Sequence, residues 1–164
     1  MVKTLSSRFR VTSIKEDTLQ QVLDLYESNP LFFKYCPPRP TLETVKEDLS
    51  RLPDGKSLQD KFYVGFWDEN HLVAVMDFVR AYPDDETVFI GFFMLHKMYQ
   101  GKGLGSSLFQ EASAYFAKDF KKIGLAYVKG NPQAQHFWEK QGFLPTGREV
   151  EQELYTVVIM EKVL

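Results

Sequence analysis

A chain of 164 residues, 44% hydrophobic and 26% charged, predicts one domain, 1–164, with a substantial core. A net charge of −2 speaks against a general nucleic-acid binder, and a lone cysteine, Cys36, excludes an internal disulfide or a cysteine-rich metal site. No stretch is apolar enough to span a membrane and no signal-peptide pattern is visible at the amino terminus, so the expectation is a cytoplasmic protein without a membrane or nucleic-acid partner.

In chain order, residues 8–14 alternate and predict a strand. Asp17 and Gln20 resemble a capping box, and Leu19, Val22, Leu23 and Tyr26 then share a helical face until Asn29-Pro30 breaks it. An aromatic stretch, 31–38, is closed by two prolines. Thr41 caps a second helix, which Pro53-Asp54-Gly55 ends. Residues 62–67 and 72–79 predict a hairpin, 87–95 a buried central strand, 103–118 a helix and 123–128 another short buried strand. Asn131-Pro132 opens a last helix, Gly142 stops it, and strands follow at Phe143 and over 154–160. The order β-α-α-β-β-β-α-β-α-β-β implies an α/β domain with a mixed, mostly antiparallel sheet of about seven strands and about four helices.

The chemistry concentrates where the central strand meets the third helix. Gln100-Gly101-Lys102-Gly103-Leu104-Gly105, followed by Ser106 and Ser107, puts small residues at a helix start, so a ligand can approach backbone N–H groups closely. The first helical turn lacks acids and carries Lys102, which suits a bound anion; a ligand-free glycine turn is the bland alternative. The spacing is neither that of a P-loop nor that of a dinucleotide fingerprint, and three successive strands before the loop argue against a Rossmann domain.

The loop does match Gln/Arg-x-x-Gly-x-Gly/Ala, and so resembles the acyl-CoA pyrophosphate loop of the GNAT superfamily of N-acyltransferases. A second stretch, Asn131-Pro-Gln-Ala134-Gln-His-Phe137-Trp138-Glu-Lys-Gln-Gly142-Phe143, is similar to that family's Asn-x-x-Ala-x-x-Phe-Tyr-x-x-x-Gly-Phe. The resemblance covers nearly the whole chain and implies acetyl-CoA as co-substrate, with no metal. It implies that Gln100, Gly101, Lys102, Gly103, Leu104, Gly105 and Ser106 hold the pyrophosphate. It also implies that the edge formed by Phe93, Met94 and Leu95 pairs with the pantetheine arm, with Asn131, Phe137 and Trp138 beside it. The strand ending at Leu95 is expected to splay from Ile123–Val128 to admit the thioester. Trp138 stands where the family commonly has a tyrosine acting as general acid, and an indole cannot perform that proton transfer.

Asp77 interrupts an apolar strand; it either binds or deprotonates an acceptor amine or faces solvent at an edge. Tyr99 and Tyr127 are further candidates for a phenol near the thioester. Phe32, Phe33 and Tyr35 fall where the family builds its acceptor pocket, and Asp84, Asp85 and Glu86 suggest attraction of a cationic acceptor. No histidine has metal-ligand spacing. Two readings follow: an N-acetyltransferase acting on a primary amine of a small molecule or protein, and an acyl-CoA-binding regulatory module without efficient turnover. The resemblance also admits a homodimer.

Overall fold

In a computed structural model, which describes residues 2–164, seven strands form one sheet in the order β1-β2-β3-β4-β5-β7-β6. The strands are β1 (Arg10–Ser13), β2 (Lys61–Asp68), β3 (His71–Val79), β4 (Thr87–Leu95), β5 (Lys122–Val128), β6 (Leu144–Glu151) and β7 (Thr156–Val163). Five α-helices accompany them: α1 (Leu19–Glu27), α2 (Pro30–Tyr35), α3 (Leu42–Asp48), α4 (Leu104–Phe116) and α5 (Pro132–Lys140). The extra helix is α2, in the aromatic stretch, where Pro30 at the first position needs no N–H partner and so starts the turn. The capping box expected at Asp17 does not form: Thr18 is the N-cap of α1, and Gln20 instead donates to Asp24 at 2.9 Å. Thr41 does cap α3, in a reciprocal box with Thr44.

Both faces of the sheet are covered, which is why β3 reads as a nearly unbroken apolar run. On one face Val73, Met76 and Phe78 join Leu108, Phe109 and Phe116 of α4 in the larger core. On the other, Leu72 and Val75 meet Val22, Leu25 and Tyr26 of α1 and Val45 of α3. The edge strand β6 is polar and almost wholly exposed, and carries Pro145 where no ladder hydrogen bond is needed.

Every strand pair is antiparallel except β4–β5. That parallel pairing covers Thr87–Ile90 against Lys122–Leu125. Past it β4 runs on to Leu95 beside β3, and β5 to Val128 beside β7, so the two strands part. The parting begins at a bulge: Asp77 faces Phe92 and Phe78 faces Ile90, which leaves Gly91 as the extra residue.

Candidate active site

The glycine loop closes onto its own strand before α4 begins. The Leu95 carbonyl accepts from the Gln100 Nε2 and the Asn29 Nδ2, each at 2.9 Å, and Gln100 also donates to the Asn29 amide oxygen. Gly101 and Gly103 then turn with φ of 81° and 75°, in the left-handed region, and a Cβ built on either meets nothing within 4 Å. Gly103 is the N-cap of α4 and offers no side chain, so the first-turn N–H groups lack a side-chain cap and point to open space. Lys102 is exposed beside them, and a shallow cleft there is also bordered by Arg8, Tyr99 and Ser107. Gly105 serves packing instead: a Cβ there would lie 3.3 Å from the Phe137 ring and 3.7 Å from Leu95. Ser106 accepts from Gln141 at 2.8 Å, tying α4 to the end of α5.

The edge of β4 faces the gap. His96 donates its N–H to Val73 on β3, so strand alternation turns the N–H and C=O groups of Phe93 and Leu95 the other way, and those of Met94 toward β3. With the Leu95 carbonyl taken by Gln100 and Asn29, the Phe93 N–H and C=O and the Leu95 N–H fit an extended, amide-bearing ligand arm, and the open glycines with the uncapped helix start fit a polyphosphate.

Across the gap, Asn131 is buried and caps α5, its side-chain oxygen accepting from the Ala134 N–H at 3.2 Å. Phe137 is half-buried against Gly105 and Phe93. Trp138 lies in the core, 8% exposed, with ring centroids 4.9–6.2 Å from those of Phe93, Phe109, Phe137 and Phe143. Tyr127 faces the same α4/α5 core, and burial pushes its hydroxyl up. Tyr99 packs half-buried beside the loop, in edge contact with His96. Neither phenol shares a face with Asp77.

Asp77 sits on the α1/α3 face, at the root of the gap. Its Oδ2 lies 3.0 Å from where a Gly91 Cβ would be, so glycine at the bulge lets the carboxylate sit close without displacement. Both oxygens accept from the Lys61 Nζ at 2.9 Å, and the pair is 3% (Lys61) and 14% (Asp77) exposed. Burial pushes the Asp77 carboxyl above its ordinary range, while the Lys61 ammonium pulls against that shift.

Next to this pair runs a string of hydroxyls. The Tyr26 and Tyr63 hydroxyls hydrogen-bond to each other, and Tyr26 also bonds Asp48 at 3.1 Å. Burial raises both phenols, and it raises Asp48 against the opposing pull of Arg51, 3.4 Å away. Phe32 and Phe33 stand beside Tyr26 and Phe92, and Tyr35 ends α2 half-buried.

The acids at 84–86 are not part of this face. They precede β4 at the end opposite the gap, where Asp84 bonds Thr87 and Glu86 pairs with Lys121. Sequence reasoning passed over Lys61, Tyr63, Asp48, Asn29 and Phe92. Gly91 was the visible signal, since a lone glycine inside an apolar strand marks a bulge or a close approach. Among the described residues no three His, Cys, Asp or Glu side chains group as a metal site, and no helix is long and apolar enough to cross a membrane.

A bulged strand parting from its parallel neighbour, with a glycine loop and an uncapped helix at its end, makes a slot open to an extended, anionic ligand. The chain belongs to the acetyltransferase (GNAT) family, whose model matches residues 20–143. Its fold is similar to that of an acetyltransferase from Thermus thermophilus (TM-score 0.71, 20% identity, covering 95% of this chain and 97% of that one). It is also similar to spermidine N-acetyltransferase from Vibrio cholerae, solved with CoA and spermine (0.67, 18%, 96% of each chain). A third likeness is to PaiA N-acetyltransferase from Thermoplasma acidophilum, solved with coenzyme A (0.68, 17%, 95% and 99%). No curated protein matches the chain by sequence.

Proposed function

We propose that the protein is an acetyl-CoA-dependent N-acetyltransferase whose primary-amine acceptor binds on the α1/α3 face of the gap. The observation that carries this reading is an arrangement along one strand, with the Asp77 carboxylate over Gly91 at the start of the parted β4 edge and the open glycine loop after its end. Gln100 through Ser106 hold the pyrophosphate, with Phe93, Leu95, Asn131 and Phe137 along the pantetheine arm.

Acetyl-CoA, when bound, supplies the thioester carbonyl. The outward N–H groups of Phe93 and Leu95 are placed to support charge developing on its oxygen. The amine nitrogen bonds the acetyl carbon as the carbon–sulfur bond breaks and its electron pair leaves with sulfur. Asp77 takes the amine proton and passes it to solvent; the thiolate draws its proton from solvent, since Trp138 has none to give. Tyr127, buried on the other face, is left with a packing role, and Tyr99 with one in shaping the loop.

Thiol release from acetyl-CoA with a panel of primary amines tests the reading. Asp77 must be ionised to act as a base, and its raised pKa sets the acid limb of kcat/KM above the ordinary carboxylate range near ~4. Activity therefore rises with pH through that limb. Asp77→Asn should lower kcat/KM by at least about tenfold and abolish the limb, while calorimetric binding of acetyl-CoA stays within about twofold. Binding of acetyl-CoA without thiol release to any amine would instead support the regulatory-module reading, which rests on the buried Trp138.

A further inference from the structure

We propose that the acceptor is a small amine bearing one positive charge on an aromatic body, of the arylalkylamine kind, and that polyamines are poor acceptors. The proposal rests on the N-acetyltransferase reading above and names its substrate class.

The first observation is the wall of the acceptor face. Four rings touch one another there: Tyr26 with Phe92 (centroids 5.1 Å) and Phe33 (5.6 Å), and Phe32 with Phe33 (5.0 Å) and Phe92 (5.4 Å). Tyr26 is buried, whereas the three phenylalanines are half-buried and Gly91 beside Phe92 is exposed, so the rings border the mouth of the gap. The partial exposure of the three phenylalanines leaves apolar ring surface at this mouth for an aromatic guest.

The second is the charge count. Asp77 is matched by Lys61, and Asp48 by Arg51, so the two carboxylates of this face are compensated by two cations. Glu161, on the β7 side, lies 3.9 Å from Lys122. The acids at 84–86, which would have favoured a multiply charged acceptor, lie at the far end of β4. With both carboxylates already paired, every ammonium beyond the one amine that must react is desolvated against aromatic rings without a free counter-charge, so an acceptor with a single charge costs least.

The test uses the full chain, acetyl-CoA and two acceptors, 2-phenylethylamine and spermidine. Expected is a kcat/KM for 2-phenylethylamine at least tenfold above that for spermidine, with Phe92→Ala raising its KM tenfold or more and leaving the KM for acetyl-CoA within twofold. Phe33→Leu, a milder change, should shift the same KM in the same direction should Phe92→Ala fail to fold. Spermidine acetylated as well as 2-phenylethylamine overturns the proposal. Should no amine be acetylated, the N-acetyltransferase reading fails, and calorimetry of 2-phenylethylamine with the CoA-loaded protein decides: saturable binding lost in the ring variants upholds the cleft assignment, and no binding overturns it.

Discussion

Asp77 and Lys61 show how one buried pair serves both stability and chemistry. Removing the cation alone leaves a carboxylate 14% exposed without a partner, so Lys61→Met should cost about 3–5 kcal/mol in denaturant unfolding. Lys61→Met with Asp77→Leu should recover most of that loss, because an apolar pair of similar volume no longer carries a buried charge. The raised Asp77 carboxyl has a sign of its own. The folded state holds that proton more tightly than the unfolded chain, so its contribution falls as pH rises from the ordinary carboxylate range through the raised value. Trp138 sits at the position where a phenol would donate a proton, yet its ring contacts are those of a core residue. Trp138→Phe should lower stability by roughly 1–3 kcal/mol and leave the pH profile of acetyl transfer unmoved. A lost or shifted pH limb in that variant would contradict the packing role.

At the scale of elements, β4 and the turn after α1 are coupled by side chains rather than by the ladder. Asn29 donates to the Leu25 and Leu95 carbonyls and accepts from Gln100, so it joins the end of α1 to the start of the glycine loop. Asn29→Ala orphans these partners and should cost about 1–2 kcal/mol. Freed from its clamp, Gln100 no longer holds the loop in one conformation, and the Kd for acetyl-CoA should rise about tenfold by calorimetry, or about 1.4 kcal/mol. An unchanged Kd would mean that the loop holds its shape without Asn29.

The whole molecule is organised by the failure of one strand pair. A continuous β4–β5 ladder would fill the sheet; ending it at Ile90 opens a slot between two well-packed cores. A ligand lying in that slot bridges both halves and binds only the folded chain. Acetyl-CoA at a hundred times its Kd should therefore stabilise the protein by about 2.7 kcal/mol, roughly 5–10 °C in Tm for a chain of this size. Gly103→Val places a β-branched residue at a φ of 75°, and should both lower the starting Tm and erase the ligand-induced shift. A full shift in that variant would remove the loop from the binding site.

Local signals in the sequence were enough for the order of the strands, four of the five helices, the mixed sheet and the loop at Gln100–Gly105. Those features rest on periodicity, glycine and proline placement and short spacings, all of which act within a few residues. The same signals assigned the aromatic stretch 31–38 no element, although Pro30 starts a short helix there, and they took Asp84 to Glu86 as attracting the acceptor. What the tertiary structure alone decided is the company each side chain keeps. Lys61 meets Asp77 because β2 and β3 pair in a register that sets Tyr63 opposite Asp77, and Asn29 meets Gln100 across 71 residues. Turn and pattern fix which strands pair, but which side chains meet across the finished core, such as Asn29 with Gln100, is a collective outcome of burying two apolar faces at once.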